Sequence, residues 1–248
     1  MIVAASTACI PDSAPHEVFE RLADLEFMNA EISVCNEGAI TPSDIAGRFD
    51  VYVQICRSLR RLSPVSIFYE IDPTAPDYLD NFKMLCEFAK AIKVVVMTVR
   101  SSVVGTPYNE EVERLRELVR FAVSNGVLVG LLTEAGHLTE TPSTVGSLCK
   151  SVKGLGVTLD PSHYIFNHTK PIDYDMILGQ VCHVRLRDTT PTQFQVRIGQ
   201  GVLEFGRLVI QLNKVNYRRA LCIDLAELPD IDPMAELRKM RLLVESLL

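Results

Sequence analysis

Residues 109–137 read NEEVERLRELVRFAVSNGVLVGLLTEAGH, and two periodicities meet inside them. Over 109–126, Val112, Leu115, Val119, Ala122 and Val123 recur at helical spacing, while charged residues fill the opposite face. That pattern predicts an amphipathic helix, with Gly126 as the residue just past its end. Over 127–134 the pattern becomes a nearly continuous apolar run, VLVGLLTE. A short run that is apolar on both faces is the signature of a parallel strand covered on both sides. The stretch therefore reads as a helix feeding a buried strand, and the strand ends on a carboxylate, Glu134.

Working outward, the same alternation fills the chain. Candidate strands are IVAAS (2–6), NAEISV (29–34), VSIFYEI (65–71), KVVVMTV (93–99), VLVGLLTE (127–134), GVTLD (156–160), CHVRLRD (182–188) and ALCID (220–224). Helical periodicity marks 15–25, 77–92, 109–126, 141–152, 204–215 and 232–248. Eight strands alternating with helical segments predict a closed (β/α)₈ barrel, an α/β fold, with residues 1–248 forming one domain. No G-x-G-x-x-G follows the first strand, which argues against an open nucleotide-binding sheet and a nucleotide cofactor.

Composition narrows the function classes. The chain has 248 residues, 48% hydrophobic and 23% charged, with a formal charge of −6, as a water-soluble globular protein has. No basic run stands out, which argues against a nucleic-acid partner, since phosphate contact dominates that affinity. The seven cysteines form no C-x-x-C pair, and several lie inside apolar runs. They read as reduced thiols used as small hydrophobes, which predicts a cytoplasmic protein. The opening MIVAASTACIPDS lacks a basic n-region and reads as a first strand, not a signal peptide. No apolar run approaches the roughly 20 residues that span a bilayer. No helix face is apolar enough to fix an oligomeric state, and a homo-oligomer is compatible with the pattern.

In such barrels the active site lies at the C-terminal ends of the strands. The fifth strand ends in Glu134, the sixth in Asp160, the seventh in Arg187-Asp188 and the eighth in Asp224, with His137 and His163 just beyond. A single carboxylate there can be only a helix cap. Four polar strand ends in a row, two with a histidine three residues on, point instead to a site. The segment HVRLRD (183–188) adds an oddity. Successive strand residues face opposite ways, so His183, Arg185 and Arg187 share one face and Val184 and Leu186 the other.

These residues carry a resemblance to the xylose isomerase-like barrels. That group holds sugar isomerases, ketose epimerases, hydroxypyruvate isomerase, inosose dehydratase and an apurinic endonuclease branch. RLADLEFMNAEISV (21–34) resembles the first helix running into a second strand ending in a glutamate, Glu31. NGVLVGLLTEAGH (125–137) resembles the fifth strand with its metal-binding glutamate. GVTLDPSHY (156–164) is similar to the family's D-x-x-H, giving Asp160 and His163. RIGQGVLEFGRL (197–208) resembles the glycine turn opening the eighth unit.

The resemblance implies one divalent ion, Mn, Mg or Zn, at the mouth. Its ligands would be a Glu on the fifth strand, an Asp on the sixth, a His on the seventh and a Glu on the eighth. Here Glu134 and Asp160 match, Asp224 stands for the last Glu, and the usual H-x-K-D of the seventh strand is replaced by R-L-R-D. Arg185 thus takes the histidine's place. A guanidinium stays protonated and has no lone pair to donate. The expectation is that Arg185 replaces the metal electrostatically, holding converging carboxylates together. Glu134, Asp160 and Asp224 remain as an incomplete ligand set, with His183 as a fourth ligand only if the cluster sits deeper in the barrel.

The function implied is an isomerase or epimerase moving a proton next to a carbonyl on a small polyol, ketose or keto acid. Glu134 and Asp224 would be its acid/base pair. Substrate would be held by His163, Arg185, Arg187 and Arg197, with His137 nearby. The several arginines suit an acidic sugar-like ligand. Two alternatives accompany this reading: a barrel that has lost catalysis and binds a ligand or serves structure, and a lyase or dehydratase on the same scaffold.

Overall fold

The computed structural model describes residues 1–11 and 13–248. Eight parallel strands close into a barrel in sequence order: β1 (Ile2–Ser6), β2 (Asn29–Val34), β3 (Ser63–Tyr69), β4 (Val96–Val99), β5 (Leu128–Leu132), β6 (Gly156–Leu159), β7 (Val181–Leu186) and β8 (Ala220–Ile223), with β8 pairing back onto β1. The fold expectation holds, and β1 and β2 match their expected bounds. The other strands shift by one to three residues at an end.

The helices are α1 (Pro15–Asp24), α2 (Pro42–Gly47), α3 (Phe49–Ser58), α4 (Tyr78–Ala91), α5 (Tyr108–Ser124), α6 (Pro142–Ser151), α7 (Phe205–Lys214) and α8 (Pro233–Glu245). One helix per strand is not the arrangement. Two short helices, α2 and α3, link β2 to β3, and two 3₁₀ turns, Pro161–Tyr164 and Asp175–Gln180, link β6 to β7. The latter segment carries Pro161 and Pro171 and lacks a helical apolar stripe, so no α-helix propagates through it. In α5 the buried stripe includes Leu118, and Val123 is exposed.

Apolar side chains concentrate between the strands and the helices. Inside the barrel the only separate apolar cluster is Ala4, Ala220 and Cys222, among the described residues. Barrel interiors are usually filled by branched aliphatic residues. Here the strands instead bury Glu31, Ser66, Thr98, Thr158, His183 and Arg185. Thr98 and Thr158 bridge β4 to β6 by a 2.7 Å hydroxyl contact, which places them across the interior rather than side by side.

The glycine turn has a mechanical role. Asp188, just past β7, accepts hydrogen bonds from the backbone N–H groups of Thr189 (3.1 Å), Gly199 (2.7 Å) and Gly201 (3.0 Å). Gly199 has φ +89°, a conformation that favours glycine. A Cβ on Gly201 would lie 1.8 Å from Asp188 Oδ1 and 2.7 Å from the Thr189 nitrogen. Gly201→Ala is therefore expected to cost roughly 1–3 kcal/mol through overpacking. A urea midpoint equal to that of the wild-type protein would contradict this close packing.

Candidate functional site at the barrel mouth

The strand ends converge as the alternation rule requires. Glu70 follows β3, Arg100 follows β4, Glu134 lies just past β5, Asp160 follows β6, Arg187 follows β7 and Asp224 follows β8. A cavity of about 270 Å³ opens among them, lined by Phe68, Glu70, Arg100, Glu134, His163, Arg185, Arg187, Phe194 and Asp224. Asp160 lies beneath it, fully buried.

Three guanidiniums hold four carboxylates. Arg100 forks Glu134, with Nε donating to Oε2 at 2.9 Å and Nη2 donating to Oε1. Arg187 Nη2 donates to Asp160 Oδ2 at 3.1 Å and also to Asp224 Oδ2. Arg185 Nη2 pairs with Asp224 Oδ1 at 2.8 Å, while its Nε lies 3.1 Å from Glu31 Oε1. The planes of two arginines also rest on aromatic rings: Arg185 is 4.0 Å from the Phe68 centroid and Arg187 4.5 Å from Phe194. Arginine suits this task because its planar fork pairs with carboxylates and stacks on rings together.

The sequence places Arg185 among Glu134, Asp160 and Asp224. In the structure it pairs with Asp224, one of the three, and with Glu31, while Arg100 pairs with Glu134 and Arg187 with Asp160. Glu31 is central to β2 rather than at its end, and it is fully buried. It also lies 2.6 Å from His183 Nε2 and accepts from Ser66 Oγ at 3.0 Å.

The charges set the titration behaviour. Burial alone would raise the Glu31 carboxyl, but Arg185, His183 and Ser66 overcome it and hold its pKa at about 2, against 4.5 ordinarily. Burial also opposes the charge of Asp160, yet Arg187 and His163 keep its carboxyl below the usual range. Both acids have depressed folded pKa values. Their contribution is therefore present above the unfolded pKa and lost as pH falls through the folded value. For Glu31 the gap from 4.5 to about 2 corresponds to roughly 3 kcal/mol. Wild-type stability should fall progressively below pH 4.5, and Glu31→Gln should flatten that acid limb. Parallel acid limbs in the two proteins would exclude this assignment.

His163 accepts the Ala135 N–H on Nδ1 at 3.3 Å. Its neutral form therefore carries the proton on Nε2, which is 3.9 Å from Asp160 Oδ2. Burial holds its pKa below the ordinary histidine value despite Asp160 and Glu134. Its ring packs against Phe194 at 4.7 Å. His137 Nδ1 lies 3.5 Å from Glu134 Oε2 and outside the cavity lining. His183 pairs with Glu31, one layer below the mouth. Arg197 is not brought to the site. It is exposed, and its nearest acid is Glu236 on α8, 3.9 Å away.

Four of these lining residues escaped the sequence reading: Glu70, Arg100, Phe68 and Phe194. The first two sit at the ends of β3 and β4, so the strand-end rule applied to the fifth to eighth strands also covers them. Glu70 differs from every other mouth carboxylate. Among the described residues its carboxylate has no hydrogen-bond or ion-pair partner. Desolvation inside the cavity raises its pKa; Arg185 pulls the other way, while Asp224 and Glu134 add to the rise. The side chain keeps much of its surface open to the cavity.

The donor set does not fit a divalent ion at this mouth. Arg185 stands at the seventh-strand position and can donate no lone pair. Both oxygens of Glu134 already accept from Arg100, Asp224 Oδ2 accepts from Arg187, and Asp224 Oδ1 is ion-paired with Arg185 at 2.8 Å. Cations occupy the places from which a metal would draw its ligands.

A model of the xylose isomerase-like TIM barrel family matches residues 51–241. No curated protein matches the sequence. Among solved structures, a D-tagatose 3-epimerase-like protein superposes with a TM-score of 0.76 at 17% identity, covering 99% of each chain. The IOLI protein with a binding zinc atom gives 0.77 at 15% identity, covering 100% of this chain and 99% of its own. The probable 3-DHS dehydratase AsbF from Bacillus anthracis gives 0.75 at 12% identity, covering 99% of each. At these identities the likeness shows the fold.

Proposed function

The chain belongs to the xylose isomerase-like TIM barrel family, and we propose that it is a metal-independent isomerase or epimerase of a small sugar-like carbonyl compound. The observation that carries this is the mouth cavity itself. Guanidinium edges of Arg185 and Arg187 replace a metal as its positive wall, and an unpartnered carboxylate, Glu70, opens into it.

The chemistry follows from which groups are free. A carbonyl oxygen seated against the guanidinium edges is polarised by fixed positive charge. That acidifies the neighbouring C–H. Glu70 has free lone pairs and a raised pKa, both of which suit a general base. His163, which lines the cavity and in its neutral form carries the proton on Nε2, can donate to a substrate hydroxyl or return the proton. Glu134 and Asp224 serve here as anchors of the arginines rather than as the acid/base pair the sequence alone suggested. Their oxygens are already occupied.

A second reading has its own support. The fork of Arg100 on Glu134 blocks the carboxylate at the fifth-strand position, which fits a barrel that binds a sugar-like ligand without turning it over. One experiment separates the readings. Thermal stabilisation by a panel of ketoses, polyols and sugar acids is measured with chelator or with Mn²⁺. Each stabilising compound is then incubated in deuterated solvent. Stabilisation indifferent to Mn²⁺, with deuterium entering next to the carbonyl, supports the enzyme. Stabilisation without exchange supports the binding protein. Stabilisation that requires Mn²⁺ excludes the metal-independent site.

A further inference from the structure

One layer below the mouth, three side chains from different strands converge in the centre of the barrel. Glu31 comes from β2, His183 from β7 and Cys222 from β8, and all are at most 1% exposed. One ligand-capable atom from each lies within 4.8 Å of the others. His183 Nε2 is 2.6 Å from Glu31 Oε2, and Cys222 Sγ is 3.6 Å from Glu31 Oε1. Ser66 Oγ, on β3, stands 3.0 Å from the same Glu31 Oε2 and 3.3 Å from His183 Nε2.

The geometry points to a divalent-cation site of zinc character in the barrel floor, made by Glu31, His183 and Cys222 with Ser66 beside them. It is separate from the mouth carboxylates and shares no ligand with them. The reading of the mouth as metal-independent stands whether or not this deeper site is filled.

Two arguments support the assignment. The first is donor type. Thiolate, imidazole and carboxylate together are the set that zinc accepts, in contrast to the all-oxygen sets of magnesium and calcium. Bonds of about 2.0–2.3 Å to zinc place tetrahedral ligand atoms roughly 3.3–3.8 Å apart. The thiol–carboxylate gap already has that size, and the His183–Glu31 gap needs to open by less than about 1 Å. The shared target of the Ser66, His183 and Cys222 contacts is one carboxylate, so a single ion can replace the protons now aimed at it.

The second argument is charge. The buried acids Glu31, Asp160 and Asp224 face only two buried guanidiniums, Arg185 and Arg187. With His183 neutral, as a metal-ligating imidazole must be, that leaves one negative charge in excess. A divalent ion that displaces the Cys222 proton adds two positive charges and removes one. The resulting metal–thiolate unit brings this buried charge cluster, mouth and floor together, to neutrality. Arg185 keeps its contact with Glu31 Oε1 and closes the site from above, so the ion is captured as the barrel folds.

The test is to produce the full chain in cobalt-supplemented medium, so that the ion is present during folding. The bound metal is then counted and the near-ultraviolet spectrum recorded. One cobalt per chain with a thiolate-to-cobalt charge-transfer band is expected. The band should vanish in Cys222→Ser and His183→Gln and persist in Glu134→Gln and Asp160→Asn. A wild-type protein without the band overturns the proposal, however the variants behave. So does a band retained in Cys222→Ser, or one lost only in the mouth variants.

Discussion

Arg185→Met lowers the thermal midpoint by on the order of 10 °C. The side chain is 4% exposed and is the positive partner of two buried acids, Glu31 and Asp224. Removing one member of a buried ion cluster leaves uncompensated charge and typically costs about 3–5 kcal/mol. For a chain of this size each kcal/mol moves the midpoint by roughly 2–4 °C. Methionine roughly fills the space, so the loss reports charge rather than a cavity. The double variant Arg185→Met with Glu31→Gln should regain part of the loss, because one stranded charge goes with its partner. A single variant within a degree or two of the wild type would show that the cluster is not electrostatically coupled. A double variant worse than the single one would show that Glu31 has enough other partners to remain charged alone.

This coupling explains which parts of the molecule were legible in the sequence. The strands were legible because parallel strands buried on both sides leave continuous apolar runs, and β1 and β2 could be bounded to the residue. The site's location was legible because a polar residue ending an apolar strand has few places to go in a barrel. Arg185 and Arg187 could be assigned to the interior by alternation alone. What the pattern could not reveal was pairing. Whether Arg185 reaches Asp160 or Glu31 depends on strand register and rotamer, and both are tertiary. The β6–β7 pairing even shifts register between Val157 and Thr158. Arg197 shows the opposite failure. It lies close in sequence to the glycine turn, but Val196 and Ile198 are buried on either side of it, so its own side chain must face outward toward α8. The β6–β7 connection was illegible as a helix because it is not one.

Glu70→Gln should reduce the rate of C–H exchange by roughly 10²–10⁴-fold, the usual range for losing a positioned general base. The ligand that stabilises the wild-type protein in the panel should bind the variant within a few-fold of its wild-type affinity, since the amide keeps the side chain's shape and loses only its proton-accepting charge. The same argument fixes the pH profile. Glu70 has a raised pKa, so the wild-type rate should fall as pH drops through a value above 4.5. The free base is needed, and protonation removes it. Glu134→Gln should behave differently. It releases Arg100 from its fork, so ligand binding changes along with rate. If Glu134→Gln removes exchange while Glu70→Gln leaves it intact, the base is the fifth-strand carboxylate, and Arg100 must swing away from it when ligand binds. The two variants thus distinguish a base that is free in this structure from one freed only by the substrate. Glu70 is favoured because a carboxylate already without a partner needs no such rearrangement before it can take a proton.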